Sequence, residues 1–188
     1  MKTEILTNYE QVIIQLCNNQ VVALPAEACF GLSSLPSNDA ITQILRLKGR
    51  AKSKGLILVA PYLEMFENWV DGSQLTDRHW GKLKARYNKP TTWVVPARNT
   101  VESGIRGDFD SIAIRITEHP VLAYLSEKLN SVLISTSANL QGQPPAMTTN
   151  EVLGYFDGKI SAVFDSKIGS AQAPSQIIDL LSGELIRR

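Results

Sequence analysis

Short apolar runs rich in β-branched side chains recur along this chain, separated by stretches in which apolar residues return every three or four positions. That alternation leaves few architectures open. "QVVALP" at 20–25, "GLILVA" at 55–60, "TTWVVPA" at 91–97, "DSIAIRIT" at 110–117 and "SVLIST" at 131–136 read as strands. A helix is expected after the Thr7-x-x-Glu10 capping spacing, with Val12, Ile13, Leu16 and Cys17 as its apolar stripe. A second, capped by Ser37 or Asn38, carries Ile41, Ile44 and Leu45 and stops at Lys48-Gly49. Trp80, Leu83 and Tyr87 mark a third from Thr76, and Leu122, Leu125 and Leu129 a fourth behind Pro120. Thr148 and Glu151 repeat the capping spacing, and "QIIDLLSGELIRR" reads as two short strands around Ser182-Gly183. Helices and strands in such succession predict an α/β domain with one open, mixed sheet.

The 188 residues fit a single domain, 1–188, with no internal repeat or linker. No apolar run approaches the roughly 20 residues that cross a bilayer, and the first residues lack the pattern of a secretory signal, so a cytoplasmic location without membrane attachment is expected. Cys17 and Cys29 are too few for a disulfide framework and are read as two small buried thiols. His79 and His119 lack a paired ligand pattern, so no metal site is assigned. The formal net charge of +1 hides an asymmetry: residues 46–115 hold thirteen Lys/Arg against seven Asp/Glu. A basic middle points to an anionic ligand, phosphate or nucleic acid, with a solvated basic face as the plainer alternative.

Three segments at strand ends carry the candidate chemistry. "RLKGRAKSKG" at 46–55 places Arg46, Lys48, Arg50, Lys52 and Lys54 at alternate positions between a helix and a strand, from which side chains could project to a common side around a polyphosphate. Neither a Walker-type loop nor a G-x-G-x-x-G turn is present, so phosphate must be held mainly by side chains. "SVLISTSANLQGQPP" runs a buried strand into Ser135, Ser137 and Asn139, on the usual ligand side of an open α/β sheet. In "ALPAEACFGLS" a strand meets Pro25 and Glu27, which read first as an ordinary strand-to-loop turn.

In this order, "LPAEACFGL", "LKGRAKSKGLILVA", "DSIAIRITEHP", "STSANLQGQPP" and "PSQIIDLLSGEL" resemble the YrdC-like family over nearly the whole chain, most closely its short single-domain threonylcarbamoyl-AMP synthases. The resemblance implies a twisted sheet with flanking helices and a concave, positively charged cavity. It also implies an activity in which L-threonine, bicarbonate or CO2, and ATP yield threonylcarbamoyl-AMP and pyrophosphate. The product then serves a TsaD-type transferase, working with TsaB and TsaE, that modifies the adenosine beside the anticodon of tRNA. On the family's motifs, Lys48 and Arg50 hold the triphosphate, and Ser135, Ser137 and Asn139 bind and orient it. Ala26, Lys54, Arg115 and Thr117 fall around threonine, with Glu27 as an orienting group, and Mg2+ is expected to arrive with ATP. Ala26 stands where the family usually has a hydroxyl, which bears on amino-acid selectivity. The other reading is a module for structured RNA such as tRNA, resting on Arg78, Lys82, Lys84, Arg86 and Lys89 beside Trp80 and Tyr87.

Overall fold

The computed structural model describes residues 2–187. In chain order the elements are β1 (Glu4–Leu6), α1 (Tyr9–Cys17), β2 (Val22–Pro25), β3 (Phe30–Ser34), α2 (Asn38–Lys48), β4 (Ile57–Ala60), α3 (Asp77–Lys84) and β5 (Thr91–Pro96). They continue with α4 (Ser103–Arg106), β6 (Ser111–Ile116), α5 (Pro120–Leu129), β7 (Leu133–Ser137), α6 (Thr149–Phe156), β8 (Ala162–Phe164), β9 (Gln176–Asp179) and β10 (Leu185–Arg187). All ten strands join one mixed sheet in the order β1-β8-β2-β3-β7-β4-β6-β5-β9-β10.

Local chemistry accounts for most boundaries. Ser37 caps α2 by accepting from the Ala40 amide, and Gly49 ends the helix in the left-handed region, where a Cβ would be strained. The Thr148/Glu151 capping box closes on α6 as expected. On α1 the expected box does not form: Asn8, one residue later, accepts from the Glu10 amide and takes the cap. Tyr87 lies beyond the end of α3, where its ring packs edge-on against Trp93. Cys17 is exposed and Cys29 only half-buried, so neither is the buried thiol expected; Cys17 follows Leu16, which takes the apolar face of α1 instead.

Strand periodicity divides the core between the two faces of the sheet. Val22 and Leu24 of β2, Val59 of β4 and Leu133 of β7 pack under α1 and α5, together with Val12, Leu16, Leu122 and Leu125. Their neighbours Ala23, Leu58 and Ile134 point the other way, into a larger cluster with Ile41 and Ile44 of α2, Ile105 of α4 and Phe156 of α6. The α1/α5 cover stops partway along the sheet. Beyond it, Ile57, Ala113, Val94 and Asp179 form a row across β4, β6, β5 and β9 and line an open cavity. The chain between β8 and β9 crosses this face to bring the β9–β10 hairpin to the far wall.

Candidate active site

The cavity has a volume of about 700 Å3. It gathers the three segments singled out above: Ala26–Gly31, the end of α2 with the loop after it, and Ser135–Asn139. Lys48, Arg50, Lys54, Arg106, Arg115 and Arg187 line it against two carboxylates, Glu27 and Asp179. Arg46 and Lys52 are exposed and outside the lining. The alternate spacing of the basic segment is therefore not an extended ladder of charge: Arg46 and Lys48 lie on a helix, Lys52 and Lys54 on a 3-10 turn, and only part of the set turns inward.

Lys48, at the C-terminus of α2, is buried at 7% exposure. Its ammonium donates to Asn139 Oδ1 (2.8 Å), to the Asn139 carbonyl (3.2 Å) and to the Ser137 carbonyl. The Ser137 hydroxyl donates to the same Oδ1 (2.8 Å), and the Asn139 amide donates to the Gln143 carbonyl (2.6 Å). Lys48 thus ties the S-x-S-A-N turn together as well as charging it. Burial, with Arg50 nearby, lowers its pKa to about 8. Arg50 is held on one edge, donating to the carbonyls of Gly55 (3.1 Å) and Lys54 (3.1 Å). Gly31 of β3 faces this turn in register with Ser137, and a Cβ there would come within 2.8 Å of Ser135 Oγ.

At the other side of the cavity Arg115, 8% exposed, pairs through Nη2 with Glu27 Oε2 at 3.0 Å. Thr117 does not line the cavity. It is buried behind Glu27 and donates to Oε1 at 2.6 Å, because residue 117 follows the end of β6 rather than continuing its inward-facing positions. Ala26 is buried at the boundary between the α1/α5 core and the cavity, and Lys54 is exposed at the rim. Cys29 also lines the cavity; burial pushes its thiol pKa up, against a nucleophilic thiolate at neutral pH.

Sequence reasoning missed Arg106 and Arg187. Arg106 donates to the Phe109 carbonyl (2.7 Å), and Arg187, on the last strand, donates to the Ser175 carbonyl (2.7 Å). No motif flags either residue; only the sheet order brings the C-terminal hairpin here. The second basic cluster lies apart, with Arg78, Lys84, Arg86 and Lys89 exposed and outside the cavity lining. Trp80 packs on the core, while Tyr87 rests edge-on against Trp93 and stays 42% exposed.

Comparison with known proteins gives a consistent outcome. The Sua5/YciO/YrdC family model, described as telomere recombination, matches residues 15–188. A threonylcarbamoyl-AMP synthase from Histophilus somni is 44% identical over 182 residues, covering 96% of this chain and 99% of that protein. Its namesake from Haemophilus influenzae is 46% identical with the same coverage. Among solved structures, P. abyssi Sua5 complexed with L-threonine matches with a TM-score of 0.85 at 23% identity, covering 95% of this chain and 54% of that longer one.

Proposed function

The chain belongs to the Sua5/YciO/YrdC family, and we propose that its cavity joins L-threonine, bicarbonate or CO2, and ATP into threonylcarbamoyl-AMP with release of pyrophosphate. One observation carries the reading: a single cavity holds the Lys48-pinned S-x-S-A-N turn with Arg50, and also the Arg115–Glu27 pair. The first set suits a polyphosphate, the second an amino acid.

The threonine amine, once deprotonated, adds to CO2 to give a carbamate. A carbamate oxygen then attacks the α-phosphorus of ATP as the bond to the β-phosphate bridging oxygen breaks, and pyrophosphate leaves. Such a displacement needs alignment and charge compensation rather than covalent help from the protein. Arg50 offers a planar fork to the phosphates, while Lys48 supplies charge and fixes the turn on which Ser137 and Asn139 sit; Ser135 adds a hydroxyl to the same wall. Arg115 and Lys54 face the amino acid, with Ala26 beside them. Among the described residues no group of three or more His, Cys, Asp or Glu converges as a metal cage, and Glu27 is committed to Arg115 and Thr117. Mg2+ is expected to arrive bound to ATP.

A mixed carbamic–phosphoric anhydride must be consumed by an acceptor. A TsaD-type transferase working with TsaB and TsaE on tRNA fits that need, and no helix among the described residues is long and apolar enough to cross a membrane. The test is to follow pyrophosphate and the acyl adenylate from ATP, Mg2+ and bicarbonate with and without threonine. Turnover that requires threonine and bicarbonate together supports the reading, and equal pyrophosphate release without threonine overturns it. The exposed ridge of Arg78, Lys84, Arg86 and Lys89 is what an RNA-binding role would rest on; binding there should weaken steeply with salt, whereas turnover should not.

A further inference from the structure

Glu27 is a mostly buried carboxylate with both oxygens occupied, Oε1 by the Thr117 hydroxyl at 2.6 Å and Oε2 by Arg115 at 3.0 Å. Burial alone would raise its pKa, but the Arg115 guanidinium and the Thr117 hydroxyl outweigh burial and hold it below the ordinary carboxylate range. Its main chain is fixed as well. Gly169 donates to the Ala26 carbonyl (2.8 Å) and Ala171 to the Glu27 carbonyl (3.0 Å). Gly169 packs so closely that a Cβ there would lie 2.6 Å from Glu27 O. Thr117 is anchored in turn, its hydroxyl oxygen accepting from the His119 amide at 3.2 Å.

Arg115 is held less completely. Glu27 grips it through Nη2 alone, and its Nε is buried with no partner. A buried guanidinium N–H without an acceptor is costly and uncommon, and this one belongs to a residue of the cavity wall. We infer that Glu27, backed by Thr117, is a positioning residue that acts through Arg115 to hold the guanidinium in the cavity wall, where it meets the carboxylate of the amino-acid substrate. The inference rests on the threonine-activating reading given above. It assigns Thr117 a role behind the substrate rather than in contact with it.

The experiment compares wild type, Glu27→Gln, Thr117→Val and Thr117→Ser in threonine-dependent pyrophosphate release, with KM for threonine and for ATP measured separately. Glu27→Gln keeps the shape and loses the charge; it is expected to raise KM for threonine about ten- to a hundredfold, the range for loss of a charge-assisted contact. KM for ATP should stay within about twofold. Thr117→Val removes one of the two groups that orient the carboxylate without altering the cavity wall, and should raise KM for threonine several-fold, while Thr117→Ser restores the wild-type value. An unchanged threonine KM in Glu27→Gln, or an equal rise in both KM values, overturns the positioning role while wild-type activity leaves the threonine reading standing. Where Glu27→Gln fails to fold, the Thr117 pair decides: Val and Ser behaving alike overturns the role. A wild-type protein that releases pyrophosphate without threonine overturns the parent reading itself.

Discussion

Lys48→Ala and Arg50→Ala should separate, although the two residues are neighbours in one motif. Lys48 is buried, and truncation removes three charge-assisted hydrogen bonds, to Asn139 Oδ1 and to the carbonyls of Ser137 and Asn139, although Oδ1 keeps the Ser137 hydroxyl and the Ser137 carbonyl keeps the Asn139 amide. A hydrogen bond to a charged group contributes about 1.5–3 kcal/mol. Against this, truncation relieves the burial that pulls the ammonium to a pKa of about 8, worth roughly 3 kcal/mol. Three such bonds outweigh that relief and leave a net loss of about 1–3 kcal/mol or more. Arg50 is half-buried and ties only Gly55 O and Lys54 O, which water can satisfy in its absence, so its removal should cost under about 1 kcal/mol of stability. Both variants should lose about 2–4 kcal/mol of transition-state stabilisation, read as kcat/KM for ATP. Urea unfolding followed by tryptophan fluorescence measures the stability difference: the Lys48→Ala midpoint should fall by about 0.5–1.5 M while Arg50→Ala stays close to wild type. A Lys48→Ala midpoint equal to wild type would show that the ammonium does not tie the turn. An Arg50→Ala midpoint equally depressed would show the basic segment acting as one structural unit.

The remaining expectations concern pH, the amino-acid side and the rim. Because Lys48 titrates near 8 in the free protein, kcat/KM for ATP should decline above that pH, whereas kcat should hold to higher pH, since bound polyphosphate favours the ammonium. Its folded pKa is below the unfolded 10.5, so the burial penalty is fully present below pH 8 and is lost as pH rises from 8 to 10.5; this group's contribution to stability increases across that window, and a urea midpoint falling there in wild type but not in Lys48→Met would contradict it. Ala26→Thr restores the hydroxyl usual in the family and should raise the threonine-to-serine ratio of kcat/KM a few-fold to about tenfold; an unchanged ratio with unchanged activity places residue 26 beyond reach of the amino acid. Gly169→Ala forces a methyl against the Glu27 main chain and should cost about 1–3 kcal/mol in a thermal melt along with a raised threonine KM; wild-type values for both would refute the close packing. Lys54→Ala, at the exposed rim, should leave unfolding unchanged and raise a substrate KM.

How far the sequence could be read depended on the range of the interactions involved. Ser37, Gly49, Thr148 and Pro120 act within one helical turn, and the helices they bound lie where they were expected. Strand β3, Phe-Gly-Leu-Ser-Ser, was illegible because a glycine and two serines carry little strand preference; it is a strand because β2 and β7 pair with it on both sides. The three residues of β8 and the four of α4 are too short to show a period. The same division runs through the cavity. Motif residues Lys48, Arg50, Ser137 and Asn139 were visible as types in a spacing, but Lys48 meets Ser137 and Asn139 across about ninety residues, and only the sheet order turns its ammonium toward the turn. Thr117, expected around threonine on the family's motifs, is buried just past the end of β6, where its hydroxyl bonds Glu27 Oε1.

The manner in which each cation is tethered matches the two kinds of substrate. Arg106 shares its guanidinium between the Phe109 carbonyl and the Asp110 carboxylate at 3.6 Å, whereas Arg50 and Arg187 are held on carbonyl oxygens, and Lys48 on carbonyls and the Asn139 amide oxygen. Such acceptors fix a side chain and absorb part of its rotamer entropy in folding, yet they carry no formal charge, so the positive field survives for a ligand. Arg115 is held by a carboxylate, which cancels most of that field locally. Tethered but uncompensated cations suit a polyanion, whose binding then requires little further ordering. A compensated guanidinium–carboxylate pair suits an amino acid, which is itself a zwitterion, and would bind a triphosphate poorly because Glu27 repels it. On the proposed reading this arrangement would discriminate threonine from ATP by net charge, and reversing it locally is informative: removing the Glu27 charge should make the amino-acid side more attractive to inorganic phosphate or pyrophosphate, seen as stronger product inhibition, and inhibition unchanged from wild type would refute this division of the cavity.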